Sequence, residues 1–250
     1  MEFSTELVPL DRILSLRRLY QEEMNCQIVH DSIHARPGWS LEYLLRVGDS
    51  AVGYGSVAVG GPWKEKPTVY EFYVGTPHRT RVFDSFLTLL RNSSATAIET
   101  QSNDSLLTVM LHTFAKDVVC ESILFEDMTR TTYSVPGTLF RLAIETDGLD
   151  IRPDQMTSHG VIEIEGRIAA AGGILFHYNR PYGDIYMEVK KPFRRRGLGT
   201  YLMQELKRVC YEAGSVPAAR CNPTNIASRK TLQKAGFVPC GNILSGSVAL

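Results

Sequence analysis

The spacing of apolar residues changes along the first half of the chain, and the change predicts a mixed fold. Apolar residues recur at helical spacing within 12–25, where Asp11 is placed as an N-cap. Residues 40–47 and 51–59 instead alternate between apolar and polar, and an aromatic run over 68–75 follows, so three strands are predicted. A helical stripe comes next, at Phe83, Phe86, Leu87 and Leu90.

The second half shows a similar succession of strands and helices. Its pattern predicts strands over 161–165, 168–176 and 184–190, a helix over 198–213, a strand over 218–221, a helix over 227–235 and a final strand pair within 237–249. Gly214 and Gly236 stop the two helices, as glycine commonly does. We therefore predict an α+β fold in which each half is a mostly antiparallel twisted sheet flanked by helices.

Three sequence matches in the same order indicate that the two halves are related. The first aligns Val74, Pro77, Arg79, Arg81 and Leu87 with Val189, Pro192, Arg194, Arg196 and Leu202. In addition, 48–55 resembles 166–173, and 119–124 resembles 239–244. The spacing between matches drifts slightly, as loop insertions between two copies of one domain would cause.

The boundary between the halves is placed in a segment of turn-forming residues. That segment contains Thr131, Thr132, Ser134, Pro136 and Gly137. We predict a first domain over 1–130 and a second over 138–250.

Composition and charge argue against several classes of protein. The chain has 27 Lys+Arg and 27 Asp+Glu, and a net charge of zero is unusual for a nucleic-acid binder. The five cysteines are odd in number and form no C-x-x-C pair, so no disulfide framework or zinc site is expected. His30 and His34 have metal-like spacing but lack a third ligand nearby, so no metal is expected. Without a signal peptide or a long apolar run, a cytoplasmic protein that does not enter the membrane is expected.

A loop in the second half, between the strand 184–190 and the helix that follows, concentrates positive charge and glycine. Its cations are Lys190, Lys191, Arg194, Arg195 and Arg196. Gly197 and Gly199 stand where the helix begins, and the free amides of a helix N-terminus bind anions such as a pyrophosphate. Two rival phosphate motifs fail, because Thr200 stands where a Walker A loop needs lysine and Leu202 where a dinucleotide fingerprint needs glycine.

Two segments resemble the acetyl-CoA signatures of the GNAT acetyltransferase superfamily. Arg194, Gly197 and Gly199 match its R-x-x-G-x-G loop, and 225–237 resembles its N-x-x-S…K-x-G-F segment. The resemblance implies a tandem GNAT protein that transfers the acetyl group of acetyl-CoA to an amine of a small molecule or peptide by direct attack. A non-catalytic module that binds or senses acetyl-CoA is the alternative. Neither reading requires nucleic acid, a membrane or a metal.

The resemblance also implies which residues bind acetyl-CoA. Backbone at the strand end would pair with pantetheine, first-turn amides of the helix would enclose the pyrophosphate, and Asn225 would hydrogen-bond the pantetheine arm. The full implied set is Met187, Glu188, Val189, Arg194, Arg195, Arg196, Gly197, Leu198, Gly199, Thr200, Asn225 and Ser228.

The chain departs from the family at the positions of the general acid and base. Leu232 stands where many relatives have a tyrosine acid, and Arg220 where some have a glutamate base. The candidates that remain are Glu188, Asp184 and Ser228. Strand alternation is expected to point the two carboxylates away from the acceptor. A water-mediated base and a residue of the first half stay open, as do Tyr178, Tyr182 and Tyr186.

The first half resembles a degenerate copy of the second. Val82 and Asp84 correspond to Gly197 and Gly199, so a Cβ and a negative charge stand where a phosphate would approach. We therefore predict one working acetyl-CoA site per chain.

Overall fold

A computed structural model describes residues 2–27, 30–148 and 157–250. The chain divides into two compact units, the first made of Met1–Glu121 with Gly241–Leu250 and the second of Ser122–Cys240. Both are mostly antiparallel sheets flanked by helices, which confirms the predicted α+β class. Among the described residues, no helix has the length and apolarity needed to cross a bilayer.

The first unit consists of strands β1 to β5, the start of β6, helices α1 to α4 and the C-terminal segment Gly241–Leu250. Their bounds are β1 Phe3–Val8, α1 Leu14–Met24, α2 Asp31–His34, β2 Ser40–Val47, β3 Ser50–Ala58, β4 Thr68–Val74, α3 Val82–Asn92, β5 Ala97–Gln101, α4 Ser105–Phe114 and β6 Ala115–Asp127. Neighbours from β1 to β4 are antiparallel, whereas β4 pairs with β5 in parallel. Phe72, Phe86 and Leu89 lie at the centre of the core between this sheet and α3.

The second unit repeats the order of the first: antiparallel strands are followed by a helix and then by a strand that pairs in parallel with the strand before the helix. Its elements are the end of β6, β7 Thr138–Leu142, β8 Thr157–Ile164, β9 Arg167–Asn179, β10 Tyr182–Val189, α5 Leu198–Glu212, β11 Val216–Cys221, α6 Ile226–Lys234 and the start of β12 Phe237–Val248. β7 to β10 are antiparallel, β10 pairs with β11 in parallel, and β11 pairs antiparallel with β6. Leu198, Leu202 and Leu206 of α5 pack on this sheet, as the predicted stripe requires.

The sheet of each unit includes a short strand segment that comes from the C-terminal end of the other half of the sequence. Residues 123–126 follow α4 of the first half but pair with β11 of the second unit. Residues 243–247 follow α6 of the second half but pair with β5 of the first unit. The units therefore do not coincide with the sequence halves at their ends.

Two predicted features of secondary structure are wrong. The strand pair predicted within 237–249 is one strand, β12, because its C-terminal part pairs with β5 instead of folding back. Asp11 does not cap α1: it lies in a 3₁₀ turn, and α1 follows Ile13, which has no side-chain cap. Ile13 is fully buried, so packing rather than capping determines where this helix begins.

A buried network of charged side chains connects α1, α2 and β4. Glu71 is fully buried and accepts two hydrogen bonds from Arg17, both 2.8 Å, and one of 3.0 Å from Tyr54. His34 lies between two carboxylates, with Nε2 3.1 Å from Glu71 Oε2 and Nδ1 2.9 Å from Glu42 Oε1. His34 thus belongs to an ion-pair network. Within the described ranges, no group of three or more side chains is placed to hold a metal ion.

This network predicts that the stability of the first unit depends on pH through His34. Burial alone would lower the pKa of His34, but the charge of Glu71 and hydrogen bonds to Glu42 and Glu71 raise it to about 9. The pKa of His34 is higher in the folded protein than in the unfolded chain, so protonated His34 stabilises the fold. This stabilisation is complete below the ordinary pKa of 6.5 and is lost as pH rises through about 9.

We expect the stability advantage of the wild type over His34→Gln to be about 2 kcal/mol larger near pH 6 than near pH 10. Urea unfolding of both proteins at the two pH values measures this difference. An advantage that does not change with pH would contradict it.

Candidate functional site

The N-terminus of α5 opens onto a cleft of about 800 Å³ in the second unit. Gly197 precedes the helix in the left-handed region, with φ of 82°. Nothing in the described part of the chain caps this helix with a side chain, so its first-turn amides are available to an anion. The loop before it adds exposed positive charge at Lys190, Lys191, Arg194, Arg195 and Arg196.

Most of the residues implied for acetyl-CoA line this cleft. They are Met187, Glu188, Val189, Arg194, Arg195, Gly197, Leu198, Gly199, Thr200, Asn225 and Ser228. Arg196 is exposed and lies outside the lining. Lys230 and Lys234 of α6 complete the wall, so the two signature segments form opposite parts of one cleft.

Gly197 is favoured by its left-handed backbone and by a close contact with Tyr133. A Cβ added at Gly197 would lie 2.4 Å from the hydroxyl oxygen of Tyr133. The Tyr133 backbone is fixed by Gln204, which accepts from its N–H at 2.5 Å and donates to its carbonyl at 2.9 Å. The glycine thus allows both a positive φ and close contact with the segment before β7. The sequence suggested only a ligand contact for this position.

Gly199 allows close packing at the floor of the cleft. A Cβ added there would lie 3.2 Å from Thr231 Cγ2 and 3.3 Å from Met187 Cε, and both residues line the cleft. The neighbours are side-chain ends, so they can yield slightly, but any longer side chain would project among the groups that line the cleft.

The arginine that opens the loop motif ties the loop to the preceding strand. The Nε of Arg194 donates to the carbonyl oxygen of Val189 at 2.9 Å. In the first unit, the Nε of Arg79 donates to the carbonyl oxygen of Val74, also at 2.9 Å. The same contact in both units explains why the arginine is present in both copies of the repeat, although the glycines are not.

Asn225 is the N-cap of α6. Its Oδ1 accepts a hydrogen bond of 3.0 Å from the backbone N–H of Ser228. Because capping uses the oxygen, the Nδ2 group is the part of Asn225 that can serve a ligand in the cleft. The Ser228 side chain hydrogen-bonds to Cys221, whose pKa is raised by burial. Ser228 is therefore coupled to a protonated thiol rather than to a base.

β10 and β11 begin as parallel neighbours and then part. Their register runs from Tyr182 opposite Val216 to Asp184 opposite Ala218. Beyond this point β11 pairs with β6, while residues 187–189 keep β9 on one side and line the cleft. A strand edge beside an open cleft suits an extended, amide-containing ligand.

Asp184 is buried and ion-paired. Its Oδ2 lies 3.1 Å from Nε of Arg220, the residue at the position of the family's glutamate. Burial raises the pKa of Asp184, and the charge and hydrogen bond of Arg220 act in the opposite direction. The pair is also outside the lining of the cleft. This arrangement is that of a structural ion pair.

Of the two carboxylates among the acid–base candidates, Asp184 and Glu188, the one on Glu188 is exposed. Its side chain is 80% exposed and lines the cleft, with Oε1 3.9 Å from Nη2 of Arg194. Tyr186 is also exposed, whereas Tyr182 is half-buried at the start of β10. The side chain of Tyr178 lies outside the described residues. Leu232 is buried, so the position of the family's tyrosine acid belongs to the core.

In the first unit, aspartates stand at the positions that correspond to Gly199 and Asn225. Asp84 lies in the first turn of α3, and its Oδ2 is 3.1 Å from Nε of Arg81. Asp104 caps α4 in the place of Asn225, and its second oxygen accepts from the hydroxyl of buried Tyr20 at 3.0 Å. Burial raises the pKa of Asp104 to about 6, against its hydrogen bonds. A carboxylate thus stands in the first turn of α3 and another at the N-cap of α4, where the second unit has Gly199 and Asn225.

Sequence reasoning missed Tyr133 and His159. Tyr133 falls in the segment interpreted only as a connector, and nothing local points to its contact with Gly197. His159 lies in β8, which begins at Thr157, four residues before the predicted strand over 161–165. A longer predicted strand would have placed His159 on the sheet, but its neighbours depend on the register.

Comparison with known proteins agrees with this geometry. The sequence model of the acetyltransferase (GNAT) family matches residues 123–237. A search of curated proteins finds no significant match.

Three solved structures cover nearly the whole chain. A GNAT-family acetyltransferase from Colwellia psychrerythraea has 13% identity and a TM-score of 0.74 over 98% of this chain and 100% of its own. A tandem GNAT protein from the clavulanic acid biosynthesis pathway has 12% identity and a TM-score of 0.66 over 100% and 99%. A GCN5-related N-acetyltransferase from Sphaerobacter thermophilus has 16% identity and a TM-score of 0.62 over 99% and 96%. At these identities the likeness is one of fold.

Proposed function

We propose that this chain transfers the acetyl group of acetyl-CoA to an amine of a small molecule or a peptide, because residues 123–237 match the acetyltransferase (GNAT) family model and the fold is similar to that of a tandem GNAT protein. The observation that carries the proposal is the cleft at the start of α5, which is lined by both signature segments. Its uncapped helix terminus and surrounding cations suit a pyrophosphate, and its open strand edge suits pantetheine.

The proposed reaction is direct attack of the amine nitrogen on the thioester carbonyl carbon. Residues 187–189 hold pantetheine through their backbone, and a backbone amide on this open edge of β10 donates to the developing oxyanion. The first-turn amides of α5 hold the pyrophosphate, and the Nδ2 group of Asn225 positions the pantetheine arm. Gathering both reactants beside β10 makes the transfer effectively intramolecular, and this lowers a large part of the activation barrier.

A second candidate function is a non-catalytic module that binds acetyl-CoA. Two observations favour it: Leu232 is buried where relatives have an acid, and Asp184 is held by Arg220. Free-thiol release from acetyl-CoA with a panel of primary amines and peptide N-termini separates the two functions. We expect release above the amine-free rate with at least one amine. Calorimetric binding of acetyl-CoA without release over the whole panel would favour the module, and no binding would overturn both.

We also expect one molecule of acetyl-CoA to bind per chain. Asp84 and Asp104 occupy the matching positions of the first unit, and their negative charge would repel phosphate. Isothermal titration calorimetry of the full chain should give a stoichiometry near one. A stoichiometry near two would show that the first unit also binds the cofactor.

A further inference from the structure

The sheet of the second unit has a face opposite α5 that carries functional groups close to the cleft. Ile185, Met187 and Val189 pack in the core with α5, so alternation along β10 directs Tyr186 and Glu188 to the opposite face. Both of these side chains are exposed. Glu188 also lines the cleft, and this face therefore meets the cleft at the end of β10.

The registers of two strand pairs place His159 beside Tyr186. Gly173 of β9 is opposite Tyr186 on one side and opposite His159 of β8 on the other. Because glycine has no side chain, the rings of His159 and Tyr186 meet above it, with centroids 6.1 Å apart and planes at 77°. This edge-to-face contact orients the imidazole on the face that holds Glu188.

The surroundings keep His159 neutral. Burial is the cause that lowers the pKa of His159 below the ordinary value of 6.5. The charged groups of this face are largely paired. Arg141, opposite Val161 on β7, is held by Asp147 and Glu163, and Asp184 is held by Arg220. Of the charged side chains named here, Glu188 is the most exposed, at 80%. At neutral pH, His159 thus retains a nitrogen lone pair on a face whose exposed charge attracts cations.

Resting on the proposed acetyl transfer, we propose that His159 is the general base that takes a proton from the acceptor's ammonium group, and that Tyr186 is the residue that positions its ring. The acceptor is a primary amine that lies above Gly173. This assignment provides the base that Asp184, committed to Arg220, does not.

His159 accepts one proton from R–NH₃⁺ and leaves a neutral amine. The nitrogen lone pair forms a bond to the carbonyl carbon, and the C–S bond then breaks. A second N–H proton is transferred to the leaving thiolate, which yields the amide and CoA thiol. The imidazolium of His159 finally releases its proton to solvent.

The first test is kinetic. For the best amine of the panel, we expect His159→Gln to lower kcat at least about 100-fold, because a positioned base contributes about 10²–10⁴. The KM for acetyl-CoA should change less than about twofold, because His159 lies outside the cofactor cleft. The wild-type rate should rise with pH through a midpoint below 6.5, and this limb should be absent in the variant.

A pair of variants at Tyr186 tests positioning. Tyr186→Phe keeps the ring and should keep the pH midpoint. Tyr186→Leu removes the ring, exposes the imidazole and should move the midpoint up toward 6.5, with a lower kcat. A purely structural role would change stability in Tyr186→Leu without moving the midpoint, so calorimetric melting of both variants accompanies the profiles.

The outcomes separate this inference from the proposed function. Turnover in the wild type together with an unchanged kcat in His159→Gln would overturn the base assignment and leave the acetyltransferase intact. An unchanged pH midpoint in Tyr186→Leu would overturn the positioning role. Absence of acetyl-CoA binding in the wild type would overturn the proposed function itself.

Discussion

Replacing Gly199 by aspartate is expected to raise the dissociation constant for acetyl-CoA at least about 100-fold. The added carboxylate would stand in the first turn of α5, where Asp84 stands in α3, and would occupy the anion site with the protein's own charge. Its Cβ would also crowd Thr231 and Met187 at the floor of the cleft. Isothermal titration calorimetry measures the change directly.

The matched control is Gly199→Asn, which has the same shape without the charge. We expect it to weaken binding by no more than about tenfold, because Thr231 and Met187 present only side-chain ends to the new Cβ. The difference between the two variants should shrink as salt is added, as screening of charge requires. Equal affinities of the Asp and Asn variants would show that phosphate does not lie at this helix terminus.

Replacing Lys207 by methionine is expected to destabilise the second unit by about 3–5 kcal/mol. Lys207 is 2% exposed in α5, and its Nζ lies 2.5 Å from Asp127 Oδ1. It also donates to the carbonyl oxygens of Thr129 and Ala235, both at 2.7 Å. Methionine fills a similar volume but leaves a buried carboxylate and two carbonyls without this donor. Denaturant unfolding followed by fluorescence measures the loss.

Two variants make this prediction specific. Arg208→Met removes the adjacent, half-exposed cation, which pairs with Glu205 and Glu212 at the surface, and should cost less than about 1 kcal/mol. Asp127→Asn in the Lys207→Met background should recover part of the stability, because it removes the unpaired charge. Similar costs for Lys207→Met and Arg208→Met would mean that the buried ion pair contributes little.

The sequence was sufficient to identify the cleft because the relevant chemistry is local. Gly197, Gly199 and the adjacent arginines follow each other along a few residues, and the N-terminus of the next helix lies within the same segment. Asn225 and the residues after it form a second local segment. Backbone amides of a helix terminus need no distant partner, so a motif and a helical period define them.

Other features depend on partners that are remote in sequence. Lys207 looks like any helix lysine until α5 is packed against Asp127 and Ala235. His159 meets Tyr186 only through the registers of two strand pairs. A one-residue shift in either register would place the rings on opposite faces, and periodicity does not specify a register.

The sheets of the two units also depend on partners that are remote in sequence. The sequence by itself determined that the halves are related, that each is an α+β domain, and that in the second a loop rich in glycine and cations leads into a helix, because repeats, periods and motifs are local patterns. Only the tertiary structure decided which strands complete each sheet, as residues 123–126 and 243–247 show. It also decided which candidate acids and bases are already held by partners, as Asp184 is by Arg220. The physical reason is that strand pairing, burial and ion pairing each depend on a second group, and the fold alone brings that group into contact.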